Sequence, residues 1–197
     1  PWGVTTDSSG NSYVVDRDNH TITVWDQNGS FIKRVGSHGS GNGQFNHPSD
    51  VALTEQEIFV VERNNHRIQV FDLNGTFLRK WGNYGSGEGQ LYHPEMITLD
   101  MNGSDVYEVY IADRYHHKIQ IFDTNGTFKR SIGSYGNQDH QLNEATGVAI
   151  GPDNLLYISS KNHHKIKVFE TNGTFVRSFS AIEQPYTLSF FGDKLAF

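Results

Sequence analysis

Apolar and polar residues alternate in short runs along this chain. Tyr13-Val14-Val15, Thr21 to Asp26, Phe31 to Val35 and their later counterparts read as half-buried strands. A period of two sends every second side chain to the same face. One phrase organises the pattern. Asn64-Asn65-His66-Arg67-Ile68-Gln69-Val70-Phe71-Asp72-Leu73-Asn74-Gly75-Thr76-Phe77 is a turn, an alternating strand, a tight Asn-Gly turn and the start of a second strand. It recurs at residues 18–31, 115–128 and 162–175. The Asn-Gly dipeptide predicts a two-residue type I′ turn in each copy.

Each copy lies inside a longer repeat of strands A to D. In the first, Gly3 to Thr6 reads as A, Tyr13 to Val15 as B, Thr21 to Asp26 as C and Phe31 to Val35 as D. The connection Gly36 to Phe45 is glycine-rich, as is Gly82 to Leu91. Neither precedes a helix, which argues against a phosphate cradle, and both read as flexible crossings. The third repeat has a longer A–B hairpin through Asn102-Gly103-Ser104-Asp105. The fourth has a short final connection, Ala181 to Gln184, and Pro185 to Phe190 then opens a fifth repeat. A period in the forties built of short strands predicts an all-β propeller. Its blades fall at about 1–47, 48–93, 94–144 and 145–184, with a partial fifth at 185–197.

The repeated Pro-x-x-Val, Tyr/Phe-Val-Val-Asp/Glu-Arg, Asn-His-Arg-Ile-Gln-Val-Phe-Asp, Gly-x-Phe and Gly-Ser-Gly-x-Gly-Gln-Phe resemble the NHL repeat, most closely at Asn65-His66-Arg67-Ile68. The resemblance implies four-stranded antiparallel blades, with strand A lining a central channel and strand D at the rim. It also implies about six blades, hence roughly 250 residues or more at this period. This sequence supplies four and a fraction. It is therefore expected to be part of a six-bladed ring, or of a ring or filament completed by other copies.

Composition narrows the function. The chain has 197 residues with Lys+Arg 16 against Asp+Glu 22, a net charge of -6. Such a balance argues against a broad nucleic-acid footprint. No apolar run approaches a membrane span. With no Cys, disulfides, thiol catalysis and Cys-based zinc sites are excluded.

Meander connectivity sorts the polar residues. A–B and C–D turns emerge on one side of a blade, B–C and D–A loops on the other. All 10 His fall in the second set. Each repeat pairs a His with the base that follows strand B: Arg17 with His20, Arg63 with His66, Arg114 with His117, and Lys161 with His164. These residues are the expected ligand or partner face. The same phrase has a plainer reading, in which its His, Asp, Asn and Arg bond neighbouring blades. One repeated His per blade cannot converge on one ion, and adjacent His side chains diverge, so no metal, cofactor or catalytic group is assigned. The opposite side carries Asn-x-Ser/Thr acceptors at Asn28, Asn74, Asn102, Asn125 and Asn172. Asn-Gly-Thr suits a hairpin for its own sake, but Asn102 lies in a different hairpin.

The expected function is a non-catalytic binding or assembly scaffold, extracellular or on the cell surface and N-glycosylated. Its partner would be a protein, a glycan or other copies of the chain. A cytoplasmic chain, with bare acceptors, is the alternative. Resemblance to NHL-like propellers also raises a metal-dependent lyase or hydrolase, for which strand A offers Thr5, Thr6, Asp50, Thr98 and no His. RNA binding, the third class, needs a basic face that the net charge disfavours.

Overall fold

A computed structural model describes residues 1–102 and 105–197. The chain divides into two compact units, residues 1–93 in the first and residues 94–102 with 106–197 in the second. The first unit holds two four-stranded antiparallel sheets. They are β1 (Val4–Thr6), β2 (Ser12–Asp16), β3 (Thr21–Trp25) and β4 (Phe31–Val35), then β5 (Pro48–Leu53), β6 (Glu57–Glu62), β7 (Arg67–Asp72) and β8 (Phe77–Trp81). The second holds two more, β9 (Pro94–Asn102), β10 (Asp105–Asp113), β11 (Lys118–Phe122) and β12 (Phe128–Ile132), then β13 (Ala145–Ile150), β14 (Leu155–Ser160), β15 (Lys165–Glu170) and β16 (Phe175–Ser180). A two-stranded hairpin, β17 (Ser189–Phe191) and β18 (Lys194–Ala196), follows. Strands are hydrogen-bonded in chain order within every sheet, so each is a meander. Among the described residues the only helical pieces are 3-10 turns at Arg114–His116 and Lys161–His163.

The alternation read from the sequence becomes burial between successive sheets. In the first unit Val15, Ile22, Val24, Phe45, Val51, Ile58, Val60 and Phe71 form one apolar cluster. In the second, Tyr110, Ile119, Ile121, Leu142, Val148, Leu156, Ile158 and Phe169 form another. Each large apolar side chain sealed in this way contributes about 1.5–3 kcal/mol. Such faces cannot be left wet, and stacking the next repeat is how they are covered.

Two expectations are corrected. The Asn-Gly turns are not type I′. That turn needs positive φ at both central residues, whereas only the glycines have it: Gly29 (φ 80), Gly75 (92), Gly126 (88) and Gly173 (99). The loop has three residues closed by a left-handed Gly. Gly29 N–H donates to Asp26 O (3.0 Å) and Asp26 N–H to Ser30 O (2.9 Å). The deciding residue is the preceding acid. Asp26 Oδ1 accepts from Asn28 N–H (2.9 Å) and Ser30 N–H (2.8 Å), and Asp123 repeats this with Asn125 and Thr127. A carboxylate that caps two amides stabilises the longer loop over the two-residue turn.

The glycine-rich connections are pinned rather than flexible. Gln44 turns back so that its Oε1 accepts from Gly41 N–H (3.0 Å), and Gln90 and Gln141 do the same for Gly87 and Gln138. Phe45, Leu91 and Leu142 then plug into the apolar layer, each fully buried. Arg67 ties the first connection down from below. It donates to Ser40 O (2.7 Å), Gly41 O (2.9 Å) and Gln44 O (2.9 Å) while paired with Glu62 (2.5 Å). Gln69, Asn65 and the Asn46 amide also bond Glu62, which is wholly buried. In the fifth repeat Ser189–Phe191 pairs with Lys194–Ala196.

Candidate binding face

The B–C loops end in a backbone conformation that explains their histidines. His20 (φ 57), His66 (53), His117 (56) and His164 (53) are all left-handed, a region that His visits more readily than bulky residues. The twist swings each ring toward the connection that follows strand D. There His20 Nδ1 accepts from His47 N–H (3.0 Å), His66 Nδ1 from His93 N–H (3.1 Å) and His117 Nδ1 from Glu144 N–H (2.9 Å). The three rings are therefore neutral and carry their proton on Nε2. His164 has no such amide among the described residues. It is exposed, and its carbonyl accepts from Ala181 N–H (2.8 Å) in the shortened final connection.

Burial, then the nearby His38 and His47, push the His20 imidazole below its ordinary pKa, against a weaker pull from Asp18. The three rings cluster, with centroids 4.3 Å and 4.8 Å from His20. Burial also lowers His117, helped by His116 and opposed by Glu144 and Asp113. Adjacent histidines diverge as expected. His116 Nδ1 bonds Asp113 (2.7 Å), while His163 lies between Ser160 (2.8 Å) and Asn137 (3.2 Å).

The four bases take different settings. Arg17 lies over the Trp2 ring at 4.3 Å. Arg63 is half-buried and donates its backbone N–H to His47 O (3.1 Å). Arg114 is nearly buried and grips Glu144 with two bonds (2.9 and 2.8 Å), with Glu95 at 3.1 Å and the Tyr186 hydroxyl at 3.3 Å. Burial opposes its charge, but Glu144, Tyr186 and Glu95 outweigh that and raise it further. Lys161 completes the group, 3.6 Å from Glu144 and 5.5 Å from the Tyr186 ring. Sequence reasoning missed Glu95 and Tyr186. Each directly follows a Pro near the start of a repeat, Pro94 and Pro185, and that shared place after Pro was the available signal.

Two tyrosines of the connections stay open to solvent. Tyr84 is 62% exposed and stands 5.1 Å from the His66 ring, with Tyr92 and His93 in the same aromatic group. Tyr135 is 66% exposed at 4.8 Å from His117. On the opposite side Asn28, Asn74, Asn125 and Asn172 are all exposed. The fifth acceptor falls outside the described residues at Gly103 and Ser104, with Asn102 beside them. No group of three or more potential metal ligands occurs among the described residues.

Residues 1–25 and 45–71 match the NHL repeat model. Those two stretches are similar to NHL repeats. No curated protein sequence matches it significantly. Among solved structures, a chain of the nidogen/laminin complex is similar with a TM-score of 0.78 at 18% identity, over 98% of this chain and 70% of that one. A streptogramin B lyase gives 0.71 at 15% identity, over 94% and 57%. Virginiamycin B lyase from Staphylococcus aureus gives 0.70 at 14% identity, over 95% and 59%. The chain thus spans less than two thirds of the length of these two lyases. At such identities the likeness is one of fold, an all-β propeller. No helix of the described residues is long and apolar enough to cross a membrane.

Proposed function

We propose that this chain belongs to a non-catalytic NHL propeller that acts as a binding or assembly scaffold outside the cell, with N-glycans on one side and a partner on the other. The observation that carries the reading is the commitment of the repeated histidines. Three of them spend Nδ1 on a backbone amide of the next connection, which makes them fasteners of the scaffold and not reactive groups. What the same loops offer to a partner is the exposed Tyr84 and Tyr135, the residue type that anchors protein interfaces. The likeness to a chain of the nidogen/laminin complex, itself an assembly between proteins, supports the same role.

Four exposed Asn-x-Ser/Thr acceptors support the extracellular assignment. Protein expressed through a secretory route should lose mass on glycosidase treatment, and an unchanged mass removes this part of the proposal. Likeness to two lyases favours a second reading, a metal-dependent enzyme. Metal analysis of the purified protein separates them, since a stoichiometric, tightly held divalent ion would support the enzyme over the scaffold.

A further inference from the structure

The four Asn-Gly turns share a sequence and a backbone, yet their asparagines are held differently. Asn172 is tied on both sides, with Oδ1 accepting from Thr174 N–H (2.9 Å) and Nδ2 donating to Glu170 Oε2 (2.8 Å). Gly173 behind it packs close to Ile132, 3.3 Å from where a Cβ would stand. Asn28 is the opposite case. Its side chain is exposed, makes no hydrogen bond among the described residues, and is followed by Gly29, around which nothing lies within 4 Å of a Cβ position. Asn74 and Asn125 have equally unbonded side chains, but Gly75 packs against Val35 (2.8 Å).

From this we infer that Asn28 is a self-modification site, where the turn deamidates through its own backbone, and that Asn172 is protected. In the reaction the Gly29 nitrogen gives up its proton and attacks Asn28 Cγ. The new C–N bond closes a cyclic imide and ammonia leaves. Water then opens the imide at either carbonyl, giving Asp or isoAsp. Attack requires Gly29 N–H to leave Asp26 O, a movement that unpacked surroundings permit and that the packing at Gly173 resists. It also requires a side chain free to rotate onto the nitrogen, which Asn28 has and Asn172 lacks. The isoAsp product lengthens the backbone by one carbon inside the loop closed by Asp26 and Ser30, so it breaks that closure. A glycan on Asn28 Nδ2 would block the reaction, which makes the two modifications exclusive. The inference does not depend on glycosylation.

The test uses unglycosylated recombinant chain, incubated at mildly alkaline pH and mapped by mass spectrometry, folded and in denaturant. Folded, Asn28 should react faster than Asn74, and Asn172 should react last, roughly tenfold slower than Asn28, the factor expected when a modest hydrogen bond must first be broken. In denaturant the spread should collapse. Glu170→Ala, a change at an exposed position, should speed Asn172 in the folded chain. Equal folded rates at Asn28 and Asn172, an inert Asn28 in the folded state, or a spread that survives denaturation would each overturn the inference.

Discussion

The second and fourth sheets hold the same kind of loop with opposite chemistry. Beneath the connection at residues 37–45, a buried carboxylate, Glu62, gathers Arg67, Gln69 and Asn65, and Arg67 passes the loop carbonyls on to it. Beneath the connection at residues 134–142 no carboxylate hydrogen-bonds the cation among the described residues, and Asp139 of the loop attracts it only at longer range. Ser160 stands where Glu62 does, bonded to the Asn143 amide (2.9 Å) and to His163. Lys167 stands where Gln69 does, 2% exposed, and donates to Gln138 O (2.9 Å) and Gln141 O (2.5 Å). Loop shape is therefore set by the Gly and Gln of the loop itself. The group beneath only has to supply donors to two or three carbonyls. A hydrogen-bonded ion pair and an ammonium bonded only to carbonyls both do so, but they respond differently to loss of one member and to pH.

The comparison breaks most visibly if each cation is removed in turn. Arg67→Met leaves Glu62 buried without its ion partner and should cost about 3–5 kcal/mol. Lys167→Met removes a buried charge together with its bonds and should cost about 1 kcal/mol. Urea denaturation of the two variants checks the gap, and equal losses would mean that the two hubs are energetically alike.

Acid tests the histidine fasteners next. His20 and His117 are depressed below the ordinary 6.5 when folded, so the unfolded chain takes up protons first. Their stabilisation is then complete above about pH 6.5 and is lost as pH falls through the folded values. Melting temperature should drop between about pH 7 and pH 5. This precedes the loss due to Glu108, where Arg130, Lys129 and Tyr110 overcome burial and hold the carboxyl down to about 2. His20→Asn keeps an acceptor and tolerates the left-handed backbone, so it should flatten the first part of the curve and leave the second.

Alkali sharpens the difference between the hubs. Burial, aided by Lys165 and opposed more weakly by Asp139, lowers Lys167 below its ordinary 10.5. A cation depressed on folding becomes less costly as pH rises through its folded value, so stability should increase there. Lys167→Met should abolish that rise. The smallest effect is expected at Tyr84→Ala. An exposed ring should change stability by no more than about 0.5 kcal/mol, so a large loss would show that it belongs to the scaffold instead of the binding surface.

Much of this was legible in the residues. The four meanders, their edges and the side of each blade that every His occupies follow from alternation and turn chemistry. The turn type was misread because Asn-Gly was weighed without the Asp before it, and a carboxylate two residues upstream changes which loop is favoured. Glycine in Gly39-Ser40-Gly41 suggested mobility, since glycine permits it. In place it serves close approach, with the Gln44 side chain filling the room that a Cβ would take. Glu95 and Tyr186 were missed because their partner, Arg114, lies 19 and 72 residues away along the chain.

By itself, then, the sequence determined the class of fold, the number of meanders it contains and the side on which each kind of residue emerges, because these depend on spacing along the chain. Only the tertiary structure decided which imidazoles are fasteners, which buried cation hydrogen-bonds a carboxylate and which asparagine is tied down by hydrogen bonds. Those properties depend on what the next repeat brings within about 3 Å, the reach of a hydrogen bond, and spacing along a strand does not carry that information.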